Sequence, residues 1–168
     1  MAILDSGERR QFETGAVRDV QAGKGRCDLL PLDIVAELLK SETIGHLARF
    51  VEDGDAAHLV RAAESFIAEA FPDRETAMLE FACHLEEGAA KYGERNWQMG
   101  ISSHSYIDSA VRHYLKHSRG DIDERHDRAF LFNCLCGVWT ARHLPWADDV
   151  PHENGRRSDG EDGKCRAE

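Results

Sequence analysis

The run Ala129-Phe-Leu-Phe-Asn-Cys-Leu-Cys-Gly-Val-Trp139 constrains the fold more than any other stretch. Read as a helix, it is apolar on nearly every face, and such a helix is stable only when other elements surround it. The rest of the chain supplies suitable partners. Leu59, Ala62, Ala63, Phe66, Ile67 and Ala70 repeat at helical spacing, as do Ile107, Ala110, Val111, Tyr114 and Leu115. On the segment after Asp73, the apolar residues of the expected helix are Met78, Leu79, Ala82, Leu85 and Ala89. The punctuation agrees with helices throughout: Pro31 suits a first turn, Ser41 and Asp73 suit N-caps, Pro72 and Pro145 stop helices, and Gly93 and Gly120 suit C-termini. Asp121 or Asp123 is expected to cap the last long helix, which runs to about His143. The expected fold is all-α, a bundle of five to six helices, with no strand signal.

A chain of 168 residues suits one domain and can bury about 70% of its unfolded surface, enough for a core without staples. Residues 1–30 are polar and glycine-punctuated and read as an arm, 31–145 as the helical domain, and 146–168 as a disordered polar tail. The formal net charge of −10 argues against a partner in duplex nucleic acid. No apolar run approaches the ~20 residues of a membrane span, and the N-terminus lacks the apolar core of a signal peptide. Five cysteines without framework spacing suit a reduced, cytoplasmic setting, and Cys134-Leu-Cys136 points its two thiols to different sides of a helix.

Three clusters can carry chemistry. In the first, Glu86, Glu87, Lys91, Tyr92, Arg95, Asn96 and Trp97 surround Gly88 and Gly93. A mid-helix glycine costs about 1 kcal/mol against alanine, so Gly88 calls for close packing or a ligand. Arg suits phosphate, Asn suits a sugar or base edge, and Trp offers a stacking face. The second is Asp108, Arg112 and His113. The third is Asp121, Asp123, Glu124, His126 and Asp127, in which Glu124 and Asp127 form E-x-x-D across a first helical turn. The bland alternatives are surface ion pairs and acidic helix starts. Asn133, a polar residue in the apolar run, is either a structural hydrogen-bonder or part of a site.

Five stretches carry a resemblance. They are Glu13-Thr-Gly-Ala-Val-Arg-Asp19, Arg26-Cys-Asp-Leu-Leu-Pro31, His84-Leu-Glu-Glu-Gly-Ala-Ala-Lys-Tyr-Gly-Glu-Arg-Asn-Trp97, Tyr106-Ile-Asp-Ser-Ala-Val-Arg-His113 and Asp123-Glu-Arg-His-Asp-Arg-Ala129 with Asn133. Together they resemble the dATP/dGTP diphosphohydrolase N-terminal-domain family of phage and bacterial proteins, related to the MazG-like all-α nucleoside triphosphate pyrophosphatases. The resemblance implies Mg²⁺-dependent hydrolysis of a purine deoxynucleoside triphosphate to monophosphate and pyrophosphate. It implies Glu86, Glu87, Glu124 and Asp127 as metal ligands, with Glu87 or His126 orienting the water. Lys91, Arg95 and Arg112 would hold phosphates, with Tyr92, Asn96, Trp97, His113 and Asn133 completing the substrate site. It also implies a homo-oligomer, dimer or tetramer. MazG-like enzymes carry E-E-x-x-E on one helix; here position 90 is Ala, so the third ligand would come from His126, Asp108 or Asn133. The segment 40–73 reads as inserted helices relative to shorter members.

Two other readings remain at this stage. One is a non-catalytic helical module that binds a nucleotide or a protein. The other is an HD-type metal phosphohydrolase built on His126-Asp127, with His104 or His113 upstream and Asp148 downstream.

Overall fold

The chain is seen in a computed structural model that describes residues 8–20 and 23–152. The first seven residues and the polar stretch after His152, with Cys165, lie outside the described residues. The six expected helices are present: α1 (Leu32–Leu39), α2 (Glu42–Asp53), α3 (Ala57–Ala70), α4 (Arg74–Tyr92), α5 (Ser103–Arg119) and α6 (His126–His143). The fold is an all-α bundle with one small addition. Within the arm, β1 (Arg9–Gln11) and β2 (Val17–Asp19) pair antiparallel, with Arg10 opposite Arg18. Three-residue strands leave no alternating pattern long enough to read from sequence.

The local signals worked as physical chemistry dictates. The Ser41 hydroxyl accepts from the Ile44 N–H, and the Asp73 carboxylate accepts from the Thr76 N–H. Gly120 closes α5 in the left-handed region. Helix α6 is the centre. Ala129, Phe130, Leu131, Cys134, Cys136, Gly137, Val138 and Thr140 are all buried, and α3, α4 and α5 pack around them. Phe130 and Phe66 meet with ring centroids 4.2 Å apart. Gly137 lets α3 and α5 approach, because a Cβ there would lie 3.3 Å from Leu59 Cδ1 and 3.6 Å from Tyr106. Both Cys134 and Cys136 are free thiols in this core, and burial pushes their pKa values up.

Helices α2 and α3, the stretch read as an insertion, are integral to the core. They contribute Ile44, Leu47, Phe50, Leu59, Ala62, Ala63 and Phe66. The structure also selects the buried face of α4 and corrects two further expectations. Met78 and Leu79 are exposed, while Ala77, Phe81, His84 and Leu85 turn inward; the apolar residues of α4 are spread around the helix, so spacing alone does not select a face. Helix α6 begins at His126 rather than at Asp121 or Asp123, because the Asp123 carboxylate is held by the Lys116 ammonium and the His126 ring instead of capping backbone N–H groups. Residues 146–152, expected within a disordered tail, pack back on the bundle. Trp146 covers Gly100, and the His152 ring binds the Val51 carbonyl at 2.9 Å.

Replacing Phe130 with alanine empties the centre of the bundle between α3 and α5. The expected cost is about 3–5 kcal/mol, measured by urea unfolding at pH 7.

Candidate functional site

The Glu86–Trp97 stretch forms the wall of a cavity of about 570 Å³. Helix α4 supplies Glu86, Gly88, Ala89 and Tyr92, the following turn supplies Arg95, Asn96, Trp97 and Gln98, and Phe132 of α6 forms the far side. A Cβ on Gly88 would meet nothing within 4 Å. Close packing therefore does not explain this glycine; the space beside it is the cavity. Arg95 adopts the left-handed conformation, φ 56°, uncommon for a residue with a side chain. It is exposed at the cavity rim and makes no ion pair among the described residues. The Trp97 ring meets Trp139 edge-on at 5.1 Å.

Other members of the expected substrate set are engaged with the protein itself. Asn96 is buried and makes a two-point pair with Val17 of β2, accepting from its N–H at 2.8 Å and donating to its carbonyl at 2.9 Å. Lys91 Nζ and Tyr92 Oη both donate to Asp19 at 2.8 Å, and burial together with that carboxylate raises the Tyr92 pKa. Arg112 holds the buried Asp108 and the carbonyl of Gly25. Asn133 accepts from Arg18 Nη2 at 2.7 Å and donates to the Ala129 carbonyl. These groups build the site's frame, and Asn133 is the structural hydrogen-bonder of the two alternatives.

The carboxylates of α4 face α6 through arginines. Arg128 donates to Glu80 at 2.5 Å and to Glu87 at 3.2 Å. Arg125 binds Glu80 at 2.9 Å and Asp127 at 2.7 Å. The Arg128 guanidinium holds the Glu80 pKa below the carboxylate range. At Asp127 burial pushes upward, but Arg125 and the Arg128 backbone N–H outweigh it. Glu86 is exposed on the first cavity, on the other side of α4 from this lattice. Glu80 was missed in the sequence, although Glu80, His84 and Glu87 stand at i, i+4 and i+7 and so share one face.

Glu124 behaves differently. It precedes α6 and does not share a helical turn with Asp127, which corrects the E-x-x-D expectation. Its Oε1 lies 3.4 Å from His113 Nδ1 and 3.5 Å from His126 Nδ1, and the two ring nitrogens are 3.0 Å apart. His126 is buried, and its Nε2 contacts Asp123 Oδ1 at 2.7 Å. Lys116 and His126 lower the Asp123 pKa to about 2. Desolvation, with His126 and the nearby cations Arg112 and Arg18, holds the His113 ring well below the usual imidazole range, so it is neutral. A second cavity of about 360 Å³ opens here, lined by His117, Asp121, Glu124, Arg125, His126 and Asp127.

Among the described residues, donor atoms converge within 4.8 Å in two groups: His113, Glu124 and His126, and Asp121, Asp123 and His126. Glu86, Glu87 and Asp127 belong to neither. The four-carboxylate Mg²⁺ set therefore does not converge in this arrangement: Arg128 and Arg125 hold Glu87 and Asp127, Glu86 lines the first cavity, and Glu124 turns to the two histidines. The HD-type set does not assemble either. Asp127 is held by Arg125, His104 pairs with Asp149, and Asp148 binds His152 at 2.8 Å.

The fold and site define a helical domain with a cavity at the C-terminal end of α4 and a histidine–carboxylate cluster at the start of α6. Residues 74–150, from α4 past α6, match the family described as dATP/dGTP diphosphohydrolase, N-terminal. No curated protein and no solved structure matches the chain. No helix among the described residues is long and apolar enough to cross a membrane.

His84 is buried beside the Phe132 ring, and desolvation, then Arg128 and Arg18, lower its pKa from 6.5 to about 4. Between those values the unfolded state binds more protons, so stability rises with pH across this window and is lost as pH falls through it. The full contribution is on the order of 3 kcal/mol. Urea midpoints measured from pH 4 to 7 should slope upward, and His84→Gln should flatten that slope.

Proposed function

We propose that the chain hydrolyses a purine (deoxy)nucleoside triphosphate to monophosphate and pyrophosphate. One observation carries the reading: every residue lining the two cavities described above falls within the family-matched segment 74–150. The first cavity offers what a nucleotide needs. Arg95 is a cation placed at the rim for a phosphate, and Tyr92, Trp97 and Phe132 present aromatic surface for a base. The candidates for proton acceptor to the attacking water are Glu87, held by Arg128, and His126 in the second cavity when no cation occupies its Nδ1. The water oxygen bonds to the α-phosphorus, its proton passes to the base, and pyrophosphate leaves. Mg²⁺ is proposed as the counter-cation of the triphosphate, a role in which it needs few protein ligands.

The exposed Ile34 and Leu38 on α1 support a homo-oligomer, dimer or tetramer, as part of this proposal, and a cytoplasmic setting completes it. A non-catalytic nucleotide-binding module is the second reading. It is favoured by the arginines that already neutralise Glu80, Glu87 and Asp127.

The deciding measurement is a panel of dNTPs and NTPs with Mg²⁺, read as pyrophosphate against phosphate release. Purine deoxynucleotides should release pyrophosphate; nucleotide binding without turnover would favour the module. Arg95→Gly relieves the left-handed backbone and should fold at least as well. It should nevertheless raise KM about 10-fold, because a charge-assisted contact to phosphate is lost.

A further inference from the structure

We propose that His113 Nδ1, His126 Nδ1 and Glu124 Oε1 form a binding site for a divalent transition-metal cation such as Zn²⁺, Co²⁺ or Mn²⁺, selective against Mg²⁺. The proposal stands on the geometry of these three residues and does not rest on nucleotide hydrolysis.

The dimensions fit. A tetrahedral site with bonds of about 2.0–2.1 Å has ligand–ligand edges of about 3.3–3.4 Å. The three edges here are 3.0, 3.4 and 3.5 Å, so the donors already outline one face of such a tetrahedron. Two of the three donor residues, Glu124 and His126, also line the second cavity, which has room for water.

The hydrogen-bond inventory points the same way. Asp123 accepts from His126 Nε2–H, and Lys116 Nζ holds the second Asp123 oxygen at 2.7 Å. That proton placement leaves His126 Nδ1 with a lone pair. Glu124 Oε1 is also an acceptor. Two acceptors face each other at 3.5 Å, with His113 Nδ1 beside both. One proton satisfies a single pair of the three, whereas a cation at the centre satisfies all of them. The Lys116–Asp123–His126 chain is the arrangement that fixes ring tautomer and orientation behind a metal ligand. His126 is buried, and the side chains of His113 and Glu124 are 16% and 15% exposed, so bulk water competes weakly for these donors. Two imidazoles and one carboxylate suit Zn²⁺, Co²⁺ or Mn²⁺, whereas Mg²⁺ takes oxygen.

The test uses the full chain, stripped with chelator and free of nucleotide. Isothermal titration should show one equivalent of Zn²⁺ bound at least about 100-fold more tightly than Mg²⁺. Co²⁺ should give the intense visible absorption of a four-coordinate site, and pulsed electron paramagnetic resonance on the Mn²⁺ form should show coupling to imidazole nitrogen. His113→Gln and Glu124→Gln should each weaken Zn²⁺ binding about 10-fold or more. His143→Gln, at the far end of α6, should leave it unchanged. Absent nitrogen coupling in the unmodified protein, equal affinity for Mg²⁺, or undiminished Zn²⁺ binding in a folded His113→Gln variant would each overturn the proposal. Because no nucleotide is present, a metal-binding protein that releases no pyrophosphate sinks the hydrolase reading alone, and the converse result sinks only this one.

Discussion

The Arg18 guanidinium organises the bundle on the side where the arm meets it. It donates to the Ser105 carbonyl at 3.1 Å and to Asn133 Oδ1 at 2.7 Å, and it sits over the rings of Tyr106 and Phe132. Desolvation pulls its pKa below the ordinary arginine value, as expected of a charge held by dipoles and π faces. Its neighbours extend the hold. Asp19 gathers Lys91 and Tyr92 from the end of α4, and Val17 pairs with Asn96 in the turn that follows. One short hairpin thus fixes α4, α5, α6 and the wall of the first cavity at the same time. The position of Arg95 and Trp97 depends on this frame, because their neighbour Asn96 is anchored to it.

The fold was legible where a residue acts through its own helix. The stripes of α3 and α5, the Ser41 and Asp73 caps, and the all-round apolar face of α6 determine their elements by local physics. Where tertiary partners decide, the signal was weak. No spacing rule says that Asp123 will bind Lys116 and His126 in place of a helix N-terminus, or that α4 will turn His84 inward and leave Leu79 outside. The hairpin strands are too short to leave a period-two pattern, so the arm's main contribution to the structure was not visible.

The candidate site divides along the same line. The importance of Glu86–Trp97 was readable because an unusual glycine, an arginine and a tryptophan crowd one helix end. Which of these residues face the cavity was not readable, since that depends on the hairpin. Asn96 and Lys91 are residue types suited to a nucleotide, and both turn to the arm instead, while Tyr92 gives its hydroxyl to the arm and still lines the cavity. The carboxylates show a comparable difference. Glu87 and Asp127 lie where Arg125 and Arg128 reach them, whereas Glu124, one residue before Arg125, folds toward two histidines. A step of a few residues along the chain separates an ion-pair lattice from a set of metal donors.

The family-matched segment opens at α4, yet part of the cover of α6 comes from α3, which lies before that boundary. Phe66 on α3 touches Phe130, and Leu59 fits against Gly137. The stretch that the family model matches and the stretch that shares one core are thus different lengths of chain. Any ancestor or transplant that carried the first without the second would have needed another surface to cover α6, and Gly137 records in one missing methyl how closely the present cover fits.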